Sequence, residues 1–280
     1  MANKNDFGTE LSALKWLICH HKAKEQYRCQ MVEDLKIKDG DRVLDSASGP
    51  GFWSLLFANK VKPSGKVVGL DLSEESIDFA KNQLQHYPDY REIVAYVQGN
   101  LSRLPYENRS FDLVFCGNVL SYIPPGHLLE AIAEQKRVVK KGGRLVFKDW
   151  DDGTILYHPL PPELRLRVIA ATAKAIDNES QLDYTDNFMA PKVRGVLQQS
   201  GLQNVSTRLY PTPIVPPFSE ETRYYLVEHT RWLTEKAAPF LSKEELQMWI
   251  SYFDPKSSQY ILDREDFYYY TVETINIGTV

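Results

Sequence analysis

The sequence predicts an α/β fold with a doubly wound, mostly parallel sheet that helices cover on both faces. Short apolar runs, such as those that begin at Arg42 and Lys66, alternate with segments of helical periodicity. The first apolar run leads into small residues and glycines between Asp45 and Gly51. Short apolar strands that alternate with helices form a parallel sheet whose two faces are both buried.

The predicted elements of the first half follow one another along the chain. Apolar spacing predicts helix within residues 6–35, and the pair Asp39-Gly40 ends it. Ser73 is the expected cap of a helix that continues to about Gln85. The sequence predicts strands over 42–47, 66–72, 93–99, 111–117 and 144–150, and further helices over 52–58 and 128–139.

The composition changes after Trp150. Residues 151–165 are rich in proline and are expected to be irregular. Helices are predicted over 162–176, 191–200, 220–241 and 242–253, a strand over 204–210 and a last extended stretch over 267–278. We interpret residues 39–150 as the core of a single domain, with a helical segment at 1–38. Residues 151–280 then supply the end of the sheet and an inserted helical cover.

The composition disfavours several classes of function. The chain has 280 residues, of which 43% are hydrophobic, and a net charge of -4, so it lacks the basic surface typical of nucleic-acid binding. No apolar run approaches the roughly 20 residues of a membrane helix, and the N-terminus MANKNDFGTE is polar. We therefore expect a cytoplasmic protein without membrane attachment. The sequence leaves homo-oligomer formation open.

The segment RVLDSASGPGFWS, residues 42–54, predicts a ligand site. In open parallel sheets, ligands bind beyond the carboxyl ends of the strands. Gly49 and Gly51 remove Cβ atoms where a ligand would contact the backbone. The next strand ends in Asp71, 20 residues after Gly51 (71 − 51), which is the distance expected for an acid that binds ribose hydroxyls.

The charge of Asp45 indicates what else the ligand carries. A dinucleotide site would have a third glycine, but the turn continues Gly49-Pro50-Gly51-Phe52-Trp53-Ser54. A carboxylate at the strand end repels a diphosphate and suits a cation. A ribose combined with an ammonium or a sulfonium group fits S-adenosylmethionine (SAM), whereas an NAD-dependent dehydrogenase is disfavoured.

Four consecutive stretches between Val43 and Trp150 resemble the class I SAM-dependent methyltransferases, in particular the small-molecule, UbiE-like methyltransferase domains. VLDSASGPG resembles motif I of that family, and VVGLDLS resembles its ribose-binding motif. VQGNLSRLPYENRSFDLVFCGNVLSYI and LLEAIAEQKRVVKKGGRLVFKDW resemble the motifs that follow. The resemblance implies a Rossmann-like fold, SAM as the cofactor and a small-molecule acceptor.

The resemblance also implies roles for individual residues. Asp45 would lie near the methionyl ammonium, Asp71 would bind both ribose hydroxyls, and Leu72 would pack on the adenine. The other implied cofactor contacts are Ser46, Ala47, Gly49 and Gly51 along the methionine, Asn100 and Leu101 at the adenine, Asn118 and Ser121 at the ammonium, and Tyr27 from the N-terminal helix, which lies over the cofactor in similar enzymes.

Two positions depart from the family pattern. Ala47 replaces the usual first glycine, and we expect a negative φ there because the position must accept a methyl group. Asn100 replaces the more usual aspartate, and its carbonyl oxygen can still accept a hydrogen bond from the adenine amino group.

The candidate catalytic residues follow the fifth predicted strand. His158 precedes Pro159, which favours an extended backbone, and an imidazole there could act as a general base. Asp149 and Tyr157 are further candidates. His20 and His21 are adjacent on a predicted helix, which is more typical of surface histidines. The acidic residues do not match a metal-site pattern, so no metal is expected.

The expected reaction is methyl transfer from SAM to an oxygen or nitrogen atom of a small molecule, such as a specialised metabolite. Two alternatives remain open. One is methylation of a carbon in an alkene- or prenyl-bearing terpenoid or indole-terpenoid, where a base would quench the resulting cation. The other is a SAM-binding protein without catalytic activity.

Overall fold

The computed structural model describes residues 4–6, 9–178 and 184–280. Its seven strands are β1 Arg42–Ser46, β2 Lys66–Asp71, β3 Val94–Gln98, β4 Phe111–Gly117, β5 Val139–His158, β6 Gln203–Pro211 and β7 Tyr268–Thr279. They form one sheet in the order β3-β2-β1-β4-β5-β7-β6. The first five strands are parallel, and β7 runs antiparallel to both β5 and β6.

The helices that cover this sheet are α1 Leu14–Asp34, α2 Phe52–Val61, α3 Glu74–Leu84, α4 Leu128–Val138, α5 Pro162–Asp177, α6 Ala190–Gln199, α7 Glu220–Ala237 and α8 Lys243–Phe253. Ser73 caps α3 as predicted, because its side chain accepts a hydrogen bond from the Ser76 amide at 3.2 Å. The predicted α/β class and mostly parallel sheet are confirmed. None of the described helices is long and apolar enough to span a membrane.

The strand order reverses direction at β1, which pairs with β2 on one side and β4 on the other. Chain connections leave such a switch point in opposite directions, so a crevice opens beyond the carboxyl ends of the two central strands. The glycine turn after β1 lies at this point.

Three buried clusters hold the layers together. One cluster includes Ile132 of α4 and Val193 of α6. A second, separate cluster includes Met31 of α1 and Phe57 of α2. The third centres on Tyr157 and Trp249 and packs α5, α7 and α8 against the far part of β5 and β7. The C-terminal helices therefore have an apolar core of their own.

The expectation of an irregular segment after Trp150 is wrong. β5 continues to His158 and pairs with β7, with Asp151 opposite Val272 and Leu156 opposite Tyr270. The register shifts between these two pairs, where residues 152–155 lie opposite the single residue Thr271 and bulge from the ladder. The Asp-Asp-Gly sequence of a bulge resembles that of a turn, which explains the incorrect expectation.

Candidate functional site

A cleft lies at the carboxyl ends of the parallel strands, under α1 and the segment before it. The strand side of the cleft is lined by residues 47–50, 70–73, 99–102, 117–119, 122, 123 and 150. The covering side contributes Asn5, Asp6, Leu11, Ser12, Trp16, Leu17, His20 and Arg28. Of the residues expected to contact the cofactor, those that line the cleft are Ala47, Gly49, Asp71, Leu72, Asn100, Leu101 and Asn118.

Backbone amides orient Asp71 at the mouth of this cleft. The Gly49 amide donates to Asp71 Oδ2 at 2.7 Å, and the Ser73 amide donates to Asp71 Oδ1 at 2.9 Å. Burial raises the pKa of the Asp71 carboxyl, although these amide hydrogen bonds oppose the rise. Each carboxylate oxygen keeps a lone pair for another donor. The side chain is therefore fixed and can still accept hydrogen bonds from a ligand.

The two glycines of the turn serve different purposes. Gly49 has a φ of 51°, and a Cβ there would contact only Leu17 Cδ1, at 3.6 Å. A Cβ on Gly51, which has a φ of 81°, would collide with the ring of Tyr96. Tyr96 donates a 3.0 Å hydrogen bond to the Gly51 carbonyl oxygen. Gly51 is therefore required by protein packing, and it does not line the cleft.

Ala47 departs from its expected conformation. Its φ is 60°, in the left-handed region, whereas a negative φ was expected. A side chain in that region costs roughly 1–2 kcal/mol relative to a right-handed conformation. The turn therefore keeps the backbone that a glycine would adopt, although the residue is alanine.

Asp45 lies beneath the turn and not on the surface of the cleft. Its side chain is buried, and its Oδ2 accepts a 2.6 Å hydrogen bond from Ser54 Oγ. Burial raises the pKa of Asp45 to about 7, and the charge of Asp71 adds to the rise while Ser54 opposes it. Any effect of Asp45 on a ligand is therefore indirect.

Three other residues expected at the cofactor are also outside the lining. Ser46 and Ser121 are fully buried, and neither hydroxyl has a hydrogen-bond partner among the described residues. The Tyr27 hydroxyl donates to the Pro213 carbonyl oxygen at 2.5 Å. Tyr27 thus ties α1 to the segment before α7.

The adenine end of the predicted site is closed by the N-terminal segment. Asn100 Nδ2 lies 2.8 Å from both carboxylate oxygens of Asp6, and Asn100 Oδ1 accepts from the Ser102 amide at 2.8 Å. Asp6 also lines the cleft. It escaped prediction because it lies outside every family motif, in a polar stretch that precedes the first helix.

Arg28 is the main cleft residue that the sequence analysis missed. It is 4% exposed, it packs over the Trp53 ring at 5.2 Å, and its Nη1 lies 2.8 Å from His21 Nδ1. Its buried Nε has no hydrogen-bond partner among the described residues. The helical spacing did indicate that Arg28 is buried. It lies three residues before Met31 and four before Val32, so it shares the face of α1 that carries these core residues.

A layer of buried charges supports the floor of the cleft. Lys24 Nζ donates to Glu273 Oε1 at 2.8 Å, and Lys148 Nζ lies 2.8 Å from Glu273 Oε2. Lys148 also donates to Asn118 Oδ1 at 2.8 Å, which fixes that cleft residue. Burial lowers the pKa of Lys148 to about 7, although Glu273 opposes the fall.

The expectation that His20 and His21 are surface residues is wrong, because both are buried. His20 lines the cleft and stacks between Trp16 and Tyr225, with ring centroids at 5.7 and 5.3 Å. Burial, together with the charge of Lys24, lowers the pKa of His20 well below its usual value. The imidazole is therefore neutral at neutral pH, and the lowered pKa makes it a weak base.

His158, the candidate general base, does not line the cleft. Its side chain is 54% exposed, and its Nε2 lies 3.8 Å from Asp266 Oδ2 at the protein surface. Because β5 continues beyond Trp150, the eight further residues (158 − 150) carry the chain roughly 20–25 Å away from the cleft.

The other two catalytic candidates lie in different surroundings. Tyr157 is in the core under the C-terminal helices, where its hydroxyl lies 3.0 Å from His229 Nδ1. Asp149 is buried beside the cleft, and its Oδ1 accepts from the amide of the cleft residue Trp150 at 3.1 Å. Burial raises the pKa of Asp149 to about 7, and the charge of Lys148 opposes the rise.

Comparison with known proteins relates this architecture to one family. Residues 43–143 match the family described as methyltransferase domain. A demethylmenaquinone methyltransferase from Lactococcus lactis is 35% identical over 129 residues. That match covers 46% of this chain and 50% of the relative, so this chain spans about half the length of that protein.

Solved structures share the fold over most of the chain. The YcgJ protein from Bacillus subtilis is 17% identical, with a TM-score of 0.56 over 91% of this chain and 98% of that one. Phosphoethanolamine N-methyltransferase 2 of Haemonchus contortus, solved with S-adenosyl-L-methionine, has a TM-score of 0.51 and is 17% identical. It is covered over 52% of its length, and 91% of this chain is matched.

Proposed function

We propose that this chain is a class I SAM-dependent methyltransferase and that it transfers the methyl group of SAM to an oxygen or nitrogen atom of a small molecule. The observation that carries this proposal is the fixed Gly49–Asp71 pair at the switch point of the sheet. The turn holds the Asp71 carboxylate in place, and a nucleoside would lie over this turn. The carboxylate could then accept hydrogen bonds from the ribose hydroxyls.

The lining residues fit SAM from end to end. Leu72 and Leu101 offer apolar surface for the adenine, and Asp71 offers acceptors for the ribose hydroxyls. The turn at 47–50 leaves room for the methionine chain. The unpartnered Nε of Arg28 is a buried cationic donor suited to the methionine carboxylate, because such charge-assisted hydrogen bonds are strong.

SAM supplies an electrophilic methyl group on a sulfonium. In the reaction, the acceptor atom forms a bond to this carbon while the carbon–sulfur bond breaks, and both electrons of that bond remain on sulfur. The products are the methylated acceptor, S-adenosylhomocysteine and, for an acceptor that carries a hydrogen, one proton. The protein has to align the acceptor and exclude water, and the leaving group needs no acid.

The acceptor would enter the part of the cleft that faces away from Asp71. Trp16, Tyr122 and Trp150 contribute aromatic surface to the lining of the cleft. His20 contacts the rings of Trp16 and Trp150, and its neutral imidazole could form a hydrogen bond with an alcohol or amine acceptor. His158 is not needed in this scheme.

Methyl-labelled SAM tests the proposal directly. The protein is incubated with [methyl-¹³C]SAM and a fractionated extract of small molecules, and the products are followed by mass spectrometry and ¹³C NMR. We expect a labelled product together with S-adenosylhomocysteine, and a methyl chemical shift that identifies a bond to oxygen or nitrogen. A methyl group on carbon would contradict the assigned atom. Binding of SAM without any transfer would contradict the reaction itself.

A further inference from the structure

Four buried oxygen atoms in the described part of the chain belong to residues that are linked to the cleft residues Tyr122 and Trp150 by sequence, by charge or by a hydrogen-bonded neighbour. Asp149 Oδ2, Asp152 Oδ1, Asn187 Oδ1 and Ser121 Oγ are buried and have no hydrogen-bond partner among the described residues. Both aspartates are 1% exposed. Ionised carboxylate and amide oxygens can only accept hydrogen bonds, so Asp149, Asp152 and Asn187 require a hydrogen-bond donor, whereas the Ser121 hydroxyl can donate or accept.

Contacts bring these residues together from three parts of the chain. Asn187 Nδ2 donates to Asp152 Oδ2 at 2.9 Å, and the Asp152 amide donates to the Asn187 carbonyl oxygen at 3.0 Å. The Asp186 amide donates to the Ser121 carbonyl oxygen at 2.7 Å. The end of β5, the turn at 120–122 and the segment before α6 therefore meet here. The side-chain NH₂ group of Asn187 donates to Asp152 Oδ2, so the unpartnered Oδ1 of the same side-chain amide also lies near the Asp152 carboxylate.

The neighbouring cations are engaged elsewhere. Lys192 pairs with Asp186 at 2.5 Å, and Lys148 is held by Glu273 and Asn118. His229 Nε2 faces Asp152 Oδ1 at 3.5 Å, but its geometry does not make a hydrogen bond.

Asp149 and Asp152 thus each keep one carboxylate oxygen that has no hydrogen-bond partner among the described residues. A buried carboxylate is costly unless a cation or a donor compensates it.

Both aspartates lie close enough to the cleft residue Tyr122 for their charges to act on it. Asp149 directly precedes the cleft residue Trp150, and Ser121 directly precedes the cleft residue Tyr122. The charges of Asp149 and Asp152 both act on the Tyr122 hydroxyl and raise its pKa, although burial is the larger cause. A cation placed between carboxylates and aromatic faces gains from both kinds of contact.

We propose that Asp149 and Asp152 bind the ammonium group of an amine-bearing aromatic small molecule. One of the two carboxylates then takes a proton from the ammonium, and the neutral nitrogen forms the bond to the methyl carbon of SAM while the carbon–sulfur bond breaks. This rests on the proposed function, because the amine is taken to be that reaction's acceptor. The described residues do not include a group of three or more His, Cys, Asp or Glu arranged for a metal ion, so a compact organic cation fits better than a metal.

A charge series of matched fragments tests the proposal. Phenethylamine, 2-phenylethanol and 3-phenylpropanoate carry the same ring and spacer with a cationic, a neutral and an anionic end. Their affinities for the protein saturated with S-adenosylhomocysteine are measured by NMR titration at neutral pH. We expect the amine to bind at least about 10-fold more tightly than the alcohol, and the carboxylate to bind least.

Substitutions assign the preference to the two acids. Asp149→Asn and Asp152→Asn keep shape and remove charge, and together they should abolish the preference for the amine. Asp151→Asn is the matched control, because Asp151 lies in the same strand but its Oδ1 is already used by the Gly153 amide at 2.9 Å. Each variant must first bind S-adenosylhomocysteine with wild-type affinity, which separates this test from failure of the cofactor assignment.

The remaining outcomes contradict the proposal. Equal affinity for the three fragments, including binding of none, would mean that the buried oxygens hold water only. Tighter binding of the carboxylate would reverse the assigned charge. If the double variant loses affinity for SAM but not for S-adenosylhomocysteine, the acids serve the sulfonium and not the acceptor. If the variants do not fold, the fragment series on the wild-type protein alone still decides the charge preference.

Discussion

The Gly49 amide donates a 2.7 Å hydrogen bond to Asp71 Oδ2, which joins the turn after β1 to the acid at the end of β2. This bond fixes the carboxylate at the place where the order of the sheet reverses. Two neighbouring parallel strands thus supply a turn and an acid that act as one unit. Substitution of the acid should disturb both the turn and the ligand contact.

Asp71→Asn should lower the affinity for S-adenosylhomocysteine at least about 10-fold. Both carboxylate oxygens accept from the turn amides and would accept from the two ribose hydroxyls, whereas the asparagine side chain has an NH₂ group in place of one of these acceptors. Isothermal titration calorimetry measures the change. Asp78→Asn removes an exposed carboxylate from α3 and serves as the control. Equal affinities in the two variants would remove Asp71 from the binding site.

Arg28→Gln should weaken binding of S-adenosylhomocysteine by roughly 10- to 100-fold, because a charge-assisted hydrogen bond to the methionine carboxylate is lost. The affinity for 5′-methylthioadenosine, which lacks the amino-acid end, should remain near the wild-type value. The ratio of the two affinities separates a lost contact from a general loss of stability. If both ligands weaken equally, Arg28 does not bind the carboxylate.

Ala47→Gly should raise the free energy of unfolding by up to about 1 kcal/mol. The glycine removes the strain of a side chain at a φ of 60°, and its greater freedom in the unfolded chain offsets part of the gain. Chemical denaturation measures the difference. Ala58→Gly within α2 is the control and should lower stability by about 1 kcal/mol or more. A destabilised Ala47→Gly variant would show that the turn is unstrained.

Asp45 should make the protein less stable as the pH rises from about 4 to about 7. Burial raises the pKa of the folded carboxyl from 3.8 to about 7, so in this range the folded state retains a proton that the unfolded state has released. Asp45→Asn removes this dependence, and its Tm relative to the wild type should therefore increase with pH. Parallel Tm curves across this range would contradict the raised pKa.

The strands of the core and most helices could be predicted because each carries a local signal. β1 to β4 are short apolar runs, and Ser73 is placed as a cap. The continuation of β5 was missed because its partner, β7, lies more than 100 residues further along the chain. Propensity and spacing do not report a pairing over that distance.

The candidate site was predictable only where a motif carries it. Asp71 and Gly49 follow from the spacing of glycines and acids, and both line the cleft. Arg28 and His20 come from α1, whose position over the cleft depends on packing against α2 and α7, so no motif marks them. His158 was misplaced because the expected loop is a strand that leads away from the cleft.

A crystal structure of the protein with S-adenosylhomocysteine tests the central claim most directly. We predict that both ribose hydroxyls lie within hydrogen-bond distance of Asp71, that the adenine lies between Leu72 and Leu101, and that the carboxylate contacts Arg28. A nucleoside bound elsewhere, or a methionine chain that points away from Arg28, would contradict the account.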